Sequence, residues 1–195
     1  MAQVELSFYG GLQSVEPSDV VISGDSVLPD ETHSMIWEGS SFDPQSYYGV
    51  RATIWDRTKF GYGIDFTHAR ANSTELPSGY SRLAFAEGLN TLTVNAYRRW
   101  DEAFAGLSPY VGGGLGMAIP NLEVGYGGSE TSGLQVTGPA ATFLAGASYP
   151  VTDEWSLFGE YKSTFSSNIG DLNGGGTASS DVVTNALNLG VSFNF

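Results

Sequence analysis

The sequence predicts an all-β fold, an eight-stranded antiparallel up-and-down barrel that crosses a membrane. Three observations lead to this prediction. Apolar and polar residues alternate with a period of two, which is typical of strands with one apolar and one polar face. Short connections alternate with long ones along the chain. Aromatic residues, 13% of the chain, gather close to the short connections.

Eight segments carry the alternation. In the first, at 4–9, Val4, Leu6 and Phe8 form the apolar face. In the last, at 183–195, the apolar face comprises the odd-numbered residues from 187 onward. The six predicted strands between them are 47–55, 60–69, 88–100, 108–123, 135–149 and 155–166. Most reach the length of about nine to eleven tilted residues that crosses a bilayer core.

The connections are short at 56–59, 101–107 and 150–154, and long at 13–46, 70–87, 124–134 and 167–180. Short periplasmic turns and long extracellular loops are typical of outer-membrane barrels. An even number of strands then places both termini at the periplasmic end. The alternative is a soluble eight-stranded barrel of lipocalin type, whose apolar faces would point inward.

Composition limits the classes of protein. The 195 residues suit a single domain, 1–195, and no apolar run approaches the ~18 residues of a membrane helix. The formal charge of 8 − 21 = −13 argues against nucleic acid as a partner. The absence of cysteine excludes disulfides and thiolate chemistry.

The N-terminus, Met1-Ala2-Gln3, carries no signal peptide and permits two interpretations. It is either the natural start of a cytosolic protein or the start of an exported one whose signal peptide has been removed. The barrel prediction favours export and a location in a bacterial outer membrane.

Aromatic residues near the short turns predict a girdle at the membrane–water boundary. They are Trp55, Phe60, Trp100, Phe104, Tyr110, Tyr149, Trp155, Phe193 and Phe195. The alternative is the ordinary aromatic core of a soluble barrel. The terminal Phe195 also resembles the signal that the outer-membrane barrel assembly machinery reads, which predicts that machinery as a partner during biogenesis.

Charged residues fall on the inward faces of several predicted strands: Glu5, Arg51, Asp65, Glu160 and Lys162. An eight-stranded barrel has room inside for side chains only, and an unpaired buried charge is very costly. We therefore expect a salt-bridge network in the lumen. A path for protons or solutes is the alternative.

The predicted extracellular side holds thirteen acids against Arg70 and Arg82, so its charge is 2 − 13 = −11. The acids are Glu16, Asp19, Asp25, Asp30, Glu31, Glu38, Asp43, Glu75, Glu87, Glu123, Glu130, Asp171 and Asp181. Divalent cations prefer oxygen ligands and would bridge these acids to phosphates of lipopolysaccharide. A plain solvated acidic surface is the other interpretation.

Six stretches resemble an outer-membrane β-barrel family of alphaproteobacteria known as lipid A oxidases. They are Tyr47-Tyr-Gly-Val-Arg-Ala52, Gly63-Ile-Asp-Phe-Thr-His68, Gly88-Leu-Asn90 with Asn95-Ala-Tyr-Arg-Arg-Trp100, Pro109-Tyr-Val-Gly112, Phe158-Gly-Glu-Tyr-Lys162 and Val183-Thr-Asn-Ala-Leu-Asn188. The resemblance implies oxidation of the proximal glucosamine of lipid A to 2-aminogluconate, with O₂ reduced to peroxide.

Such a reaction requires a base and sugar- and phosphate-binding groups at the outer rim. His68 is the preferred base, because imidazole titrates near neutrality. Further candidates are Glu87, Asp171 and Asp181 as base or metal ligands, Arg70 and Arg82 for lipid phosphate, and Asn168 and Asn185 for sugar hydroxyls. Another hypothesis joins His33 and His68, the two histidines of the chain, with a carboxylate in a metal site.

Two functions therefore remain open at this point. The first is a non-catalytic barrel that stabilises the membrane or interacts through its surface, with a lumen filled by side chains. The second is a lipid A-modifying oxidoreductase, with a hydrolytic variant because small barrels also include lipid A acylases and deacylases.

Overall fold

A computed structural model describes residues 3–38, 47–84 and 88–195, and these contain fifteen strands. The strands are β1 (Gln3–Val15), β2 (Ser18–Ser23), β3 (Glu31–Met35), β4 (Trp37–Glu38), β5 (Tyr47–Trp55), β6 (Phe60–Ala69), β7 (Asn72–Ser73), β8 (Tyr80–Ala84), β9 (Thr91–Arg99), β10 (Ser108–Ala118), β11 (Asn121–Tyr126), β12 (Ser129–Leu134), β13 (Gly138–Pro150), β14 (Trp155–Asp171) and β15 (Thr177–Asn194).

Eight of these strands form the barrel, in the order β1-β5-β6-β9-β10-β13-β14-β15. Every neighbouring pair is antiparallel, and pairing of β1 with β15 closes the cylinder. The eight-stranded fold class is therefore confirmed. In the described residues, no helix is long and apolar enough to cross a membrane.

The register of the strands fixes the shape of the barrel. A path that follows the paired residues around the barrel starts at His68 on β6. When the register of β6 with β9 is continued two residues past its last pair, Phe60 with Arg98, the path returns at position 58, ten residues earlier (68 − 58 = 10). It passes through Tyr48, Gly10, Leu189, Gly159, Ala147, Pro109 and Trp100. Eight strands with this stagger are strongly tilted, by about 35–45° from the barrel axis, and leave a narrow interior.

The outer wall is apolar over its whole circumference. Large hydrophobic side chains that point outward and are exposed include Val4, Phe8, Ile54, Tyr62, Ile64, Val94, Leu115, Phe143, Leu157, Leu187 and Leu189. A soluble protein rarely exposes so large a continuous apolar surface. The alternative of a lipocalin-type soluble barrel is therefore wrong, and the belt is the membrane-facing surface of an outer-membrane barrel.

Two members of the predicted aromatic girdle point into the barrel instead. Trp55 and Tyr110 are buried in the lumen, whereas Phe60, Trp100, Tyr149 and Trp155 are exposed on the wall as expected. Trp55 fits inside because glycine at Gly61 leaves room, since a Cβ there would lie 2.7 Å from the indole ring.

The extracellular connections contain more β structure than the sequence predicts. The segment 167–180, predicted as a long loop, is the end of β14, a tight connection at 172–176, and the start of β15. Pairing of β15 with β2, and of β2 with β3, extends this hairpin beyond the barrel. The polar composition of the segment obscured an alternation that the structure reveals.

Candidate functional site in the lumen and at the extracellular rim

The lumen is crossed by a network of ion pairs centred on Arg51. Its Nε donates to Asp65 at 2.9 Å, and its two terminal nitrogens donate to the Glu160 carboxylate at 2.9 and 2.8 Å. Glu160 also accepts hydrogen bonds from Tyr110 at 2.8 Å and from Asn188 at 3.1 Å. The paired arrangement of Arg51 and Glu160 is a strong and geometrically specific form of ion pair.

Lys162 completes the network on the extracellular side of Arg51. Its Nζ donates to Asp65 at 3.1 Å, to the Tyr9 hydroxyl at 2.9 Å and to Thr67 at 2.6 Å. The Tyr9 hydroxyl in turn donates to Asp65 at 2.7 Å. Two cations therefore meet two carboxylates, and each buried charge has several partners, which is the condition under which buried ions are tolerated.

Glu5, expected in the same network, belongs to a separate pair near the periplasmic end. It accepts a hydrogen bond from Arg99 at 3.2 Å, and the Arg99 guanidinium lies 4.3 Å from the centre of a Trp55 ring. Between this pair and Arg51 lies a cavity of about 20 Å³, enough for a single water molecule. The lumen in this region is packed with side chains.

A hydrophobic cap closes the extracellular end of the barrel. One side of it is the extension of β14 and β15 with β2 and β3, and the other side is the sheet β12-β11-β8. Its buried side chains are Val20, Ile22, Leu28, Met35, Tyr80, Leu83, Leu122, Val124, Leu172 and Val182. Leu122 of β11 packs directly against Gly170 of β14, because a Cβ added to Gly170 would lie only 2.6 Å from the Leu122 side chain.

Asp25 fixes the loop between β2 and β3 within this cap. Its Oδ1 accepts hydrogen bonds from the N–H groups of Leu28 at 3.0 Å and Val27 at 2.8 Å. These two bonds favour the ionised carboxylate and lower the pKa of Asp25 from its ordinary value. The loop is therefore held in place by a charged turn as well as by the buried Leu28.

His68, the predicted base, lies on the outer wall near the extracellular end of β6. Its ring stacks on Tyr48, with the centroids 5.0 Å apart and the planes at 25°. Its Nδ1 lies 2.7 Å from Asn90 Oδ1, while Asn90 Nδ2 donates to the carbonyl of Ile119 at 3.1 Å. Asn90 thus presents an acceptor, so Nδ1 of His68 carries a proton and donates.

Among the described residues, neither Asp171 nor Asp181 contacts His68. Asp171 and Asp181 are exposed at separate positions on β14 and β15, and Glu87 lies outside the described residues. Among residues 3–38, 47–84 and 88–195, no three histidines or carboxylates form a group that would hold a metal ion. His33 pairs with Glu31 at 2.9 Å and packs against Tyr80 instead of meeting His68.

The predicted lipid-binding residues also separate into different environments. Arg70 is half-buried directly after the strand of His68, and Arg82 pairs with Glu123 at 3.2 Å in the cap. Asn185 lies on the outer wall, bonded to Tyr161 at 2.6 Å and to Glu16 at 2.9 Å.

Asn168 points into the barrel, where it accepts from Thr137 at 2.7 Å and donates to Ser166 and Ser180. Asn168 is fully buried there and its amide group is already hydrogen-bonded, so the structure places it away from the lipid-facing surface.

Several contacts of the site were not predicted. Tyr9, Thr67 and Tyr110 hold the lumen charges. Strand alternation places Tyr9 and Thr67 on inward faces, whereas Tyr110 is predicted in the aromatic girdle. The contacts of Tyr48 and Asn90 with His68 depend on strand register and on loop placement, for which the sequence gives no direct signal.

The apolar outer wall, the charged lumen and the closed ladder of eight strands define a small outer-membrane β-barrel protein. Solved structures of this class have a similar fold. OprG from Pseudomonas aeruginosa matches with a TM-score of 0.54 and 15% identity, over 98% of this chain and 95% of that one. The outer membrane protein AlkL matches at 0.53 and 17%, over 98% and 90%.

A third structure, Neisserial surface protein A, matches at 0.52 and 17% identity, over 100% of this chain and 97% of that one. At these identities the likeness establishes the fold. No model of a known protein family matches the sequence, and no curated protein matches it either.

Proposed function

We propose that this protein is a closed, non-transporting barrel that stabilises the outer membrane and interacts through its extracellular surface. The observation that carries the proposal is the lumen network of Arg51, Asp65, Glu160 and Lys162. The network lies across a lumen already narrowed by eight-stranded geometry, and the hydrophobic cap lies above it. Both features oppose passage of a hydrated solute.

The outer surface supports the interaction part of the proposal. Acidic side chains such as Glu16, Asp19 and Asp181 are exposed above the apolar belt. Lipopolysaccharide phosphates are also anionic, so divalent cations would link the two surfaces through oxygen ligands. Such bridges would tie the barrel to neighbouring lipids.

Conductance across a planar bilayer tests the closed lumen. We expect no stable conductance steps from the refolded wild-type chain, because a path through the lumen requires breaking ion pairs with Asp65 or Glu160. A porin inserted in the same bilayer serves as the positive control. Steady, reproducible steps from protein shown to be folded by its mobility on unboiled gels would contradict the proposal.

A second candidate, a lipid A-modifying oxidoreductase, is favoured by the position of His68. Its imidazole lies on the outer wall and not in the lumen. A lipid headgroup would have access to it there. In the reaction that the sequence resemblance implies, C1 of the proximal glucosamine and its hydroxyl group together give up two electrons and two protons, which O₂ takes up as H₂O₂. Addition of water to the resulting lactone gives 2-aminogluconate.

Mass spectrometry of lipid A incubated with the folded barrel tests this second candidate. The oxidase predicts a gain of one oxygen that requires O₂ and is lost in His68→Ala. Loss of an acyl chain would indicate a hydrolase instead. Unchanged lipid A, with divalent metal present, is the result expected from the non-catalytic barrel.

A further inference from the structure

We propose that Tyr48, His68 and Arg70 form a binding site on the outer wall for the phosphomonoester headgroup of a lipid in the outer leaflet. The site goes beyond the closed-barrel role, because it faces the membrane and does not depend on the state of the lumen. It binds a lipid without requiring that the lipid be modified.

The position of the site is set by the register of β5 and β6. Tyr48 pairs directly with His68, and both side chains lie on the lipid-facing side of their strands. Phe66, two residues below His68, also faces outward and lies 6.4 Å from the Tyr48 ring between centroids. The apolar belt therefore ends at this pair, where lipid headgroups replace acyl chains.

The hydrogen bonds of His68 leave one ring nitrogen for a ligand. Because Nδ1 donates to Asn90, the neutral ring presents Nε2 as an acceptor, and the protonated ring presents it as a donor. In the described part of the chain, no hydrogen bond is made by Nε2. Tyr48 stacks against the ring and limits its rotation.

Gly88, just before β9, lies close to the imidazole. Its φ of +133° is a conformation that residues with a side chain rarely adopt. A Cβ at this position would lie 2.5 Å from His68 Cε1. The glycine therefore allows the backbone to cover one edge of the ring without displacing it.

Phosphomonoester chemistry matches these groups. A phosphomonoester can carry a P–OH group, which donates to an imidazole nitrogen acceptor such as Nε2, and it has further terminal oxygens that accept hydrogen bonds from cationic side chains. Arg70 follows His68 by two residues and supplies a permanent positive charge. Its Nε is buried and has no hydrogen-bond partner among the described residues. A phosphodiester has no P–OH group to donate to Nε2.

Histidine NMR provides a direct test, because the chain has two histidines. The variant His33→Gln leaves His68 as the single imidazole, and His68→Gln in that background confirms the assignment by removing the signal. The ¹⁵N-histidine-labelled barrel is placed in phosphatidylcholine nanodiscs, and phosphatidic acid is then titrated in. We expect the His68 Nε2 signal to shift and to saturate.

Two further variants and a control test the other members of the site. Tyr48→Ala and Arg70→Gln are each expected to raise the phosphatidic acid level at half-saturation about tenfold, the effect of losing one good contact. Tyr62→Ala removes an exposed outward tyrosine from the same barrel wall and is expected to leave the titration unchanged.

The ligand controls separate lipid from free phosphate. Inorganic phosphate added to pure phosphatidylcholine discs is expected to cause no shift, and an equal shift would overturn the lipid assignment. An equal shift with phosphatidylglycerol, an anionic diester, would overturn the phosphomonoester assignment. Absence of any shift with phosphatidic acid, from folded protein, would overturn the site. None of these outcomes depends on conductance or on modification of lipid A.

Discussion

Replacing Asp65 with asparagine is expected to lower the free energy of unfolding by about 3–5 kcal/mol. The carboxylate accepts hydrogen bonds from Arg51, Lys162 and Tyr9, and it is fully buried. Asparagine has almost the same shape, so the expected loss comes from charge. In the variant, the two buried cations Arg51 and Lys162 share a single carboxylate of the network, that of Glu160.

Urea unfolding in phospholipid vesicles, followed by tryptophan fluorescence, measures this change. The double variant Asp65→Asn with Lys162→Met removes one charge of each sign and is expected to recover at least half of the loss. Asp171→Asn, which neutralises an exposed carboxylate, is the matched control and is expected to change stability by no more than about 0.5 kcal/mol. A loss below about 1 kcal/mol for Asp65→Asn would contradict the network as a source of stability.

Replacing Val94 with arginine is expected to cost about 2–4 kcal/mol, because the side chain would enter the hydrocarbon core of the bilayer. Val94 is 66% exposed and lies in the middle of β9, between the outward-facing Leu92 and Ala96. It makes no contribution to the lumen. Its exposure is therefore exposure to lipid, and a charge there is stabilised by neither water nor protein.

Phe104 offers a control of similar exposure outside the belt. It is 73% exposed in the short connection between β9 and β10, where an arginine remains in water or among headgroups. Phe104→Arg is expected to cost no more than about 1 kcal/mol in the same vesicle assay. Equal effects of the two substitutions would indicate that the apolar wall is not embedded in the membrane as proposed.

Much of the barrel follows from local patterns. Alternation from Leu187 to Phe195 assigns one face of β15 to lipid and the other to the lumen, because side chains of a strand point in alternate directions. The same rule places Arg51, Asp65, Glu160 and Lys162 inside. Their mutual pairing depends additionally on register, which local patterns specify only through the burial of one face.

The structure of the cap and of the extracellular rim could not be predicted from such local patterns. Segment 167–180 resembles a loop in composition, yet its residues continue two paired strands because β2 and β11 pack against them. Asn168 faces inward on this extension, so it is hydrogen-bonded to neighbouring strands instead of facing lipid. Trp55 faces the lumen beside Gly61, which leaves space for its ring, and Tyr110 faces the lumen and donates to Glu160.

The sequence by itself determined that the chain is an eight-stranded membrane barrel, with its apolar belt outside and its charges inside. Alternation and turn length are local properties, and they suffice for that conclusion. The tertiary structure alone decided that Arg51 joins Asp65 to Glu160, that four extracellular connections pack into a cap, and that His68 stacks on Tyr48 beside Asn90. These contacts join residues far apart in the chain, and their geometry arises only when register and closure bring the strands together.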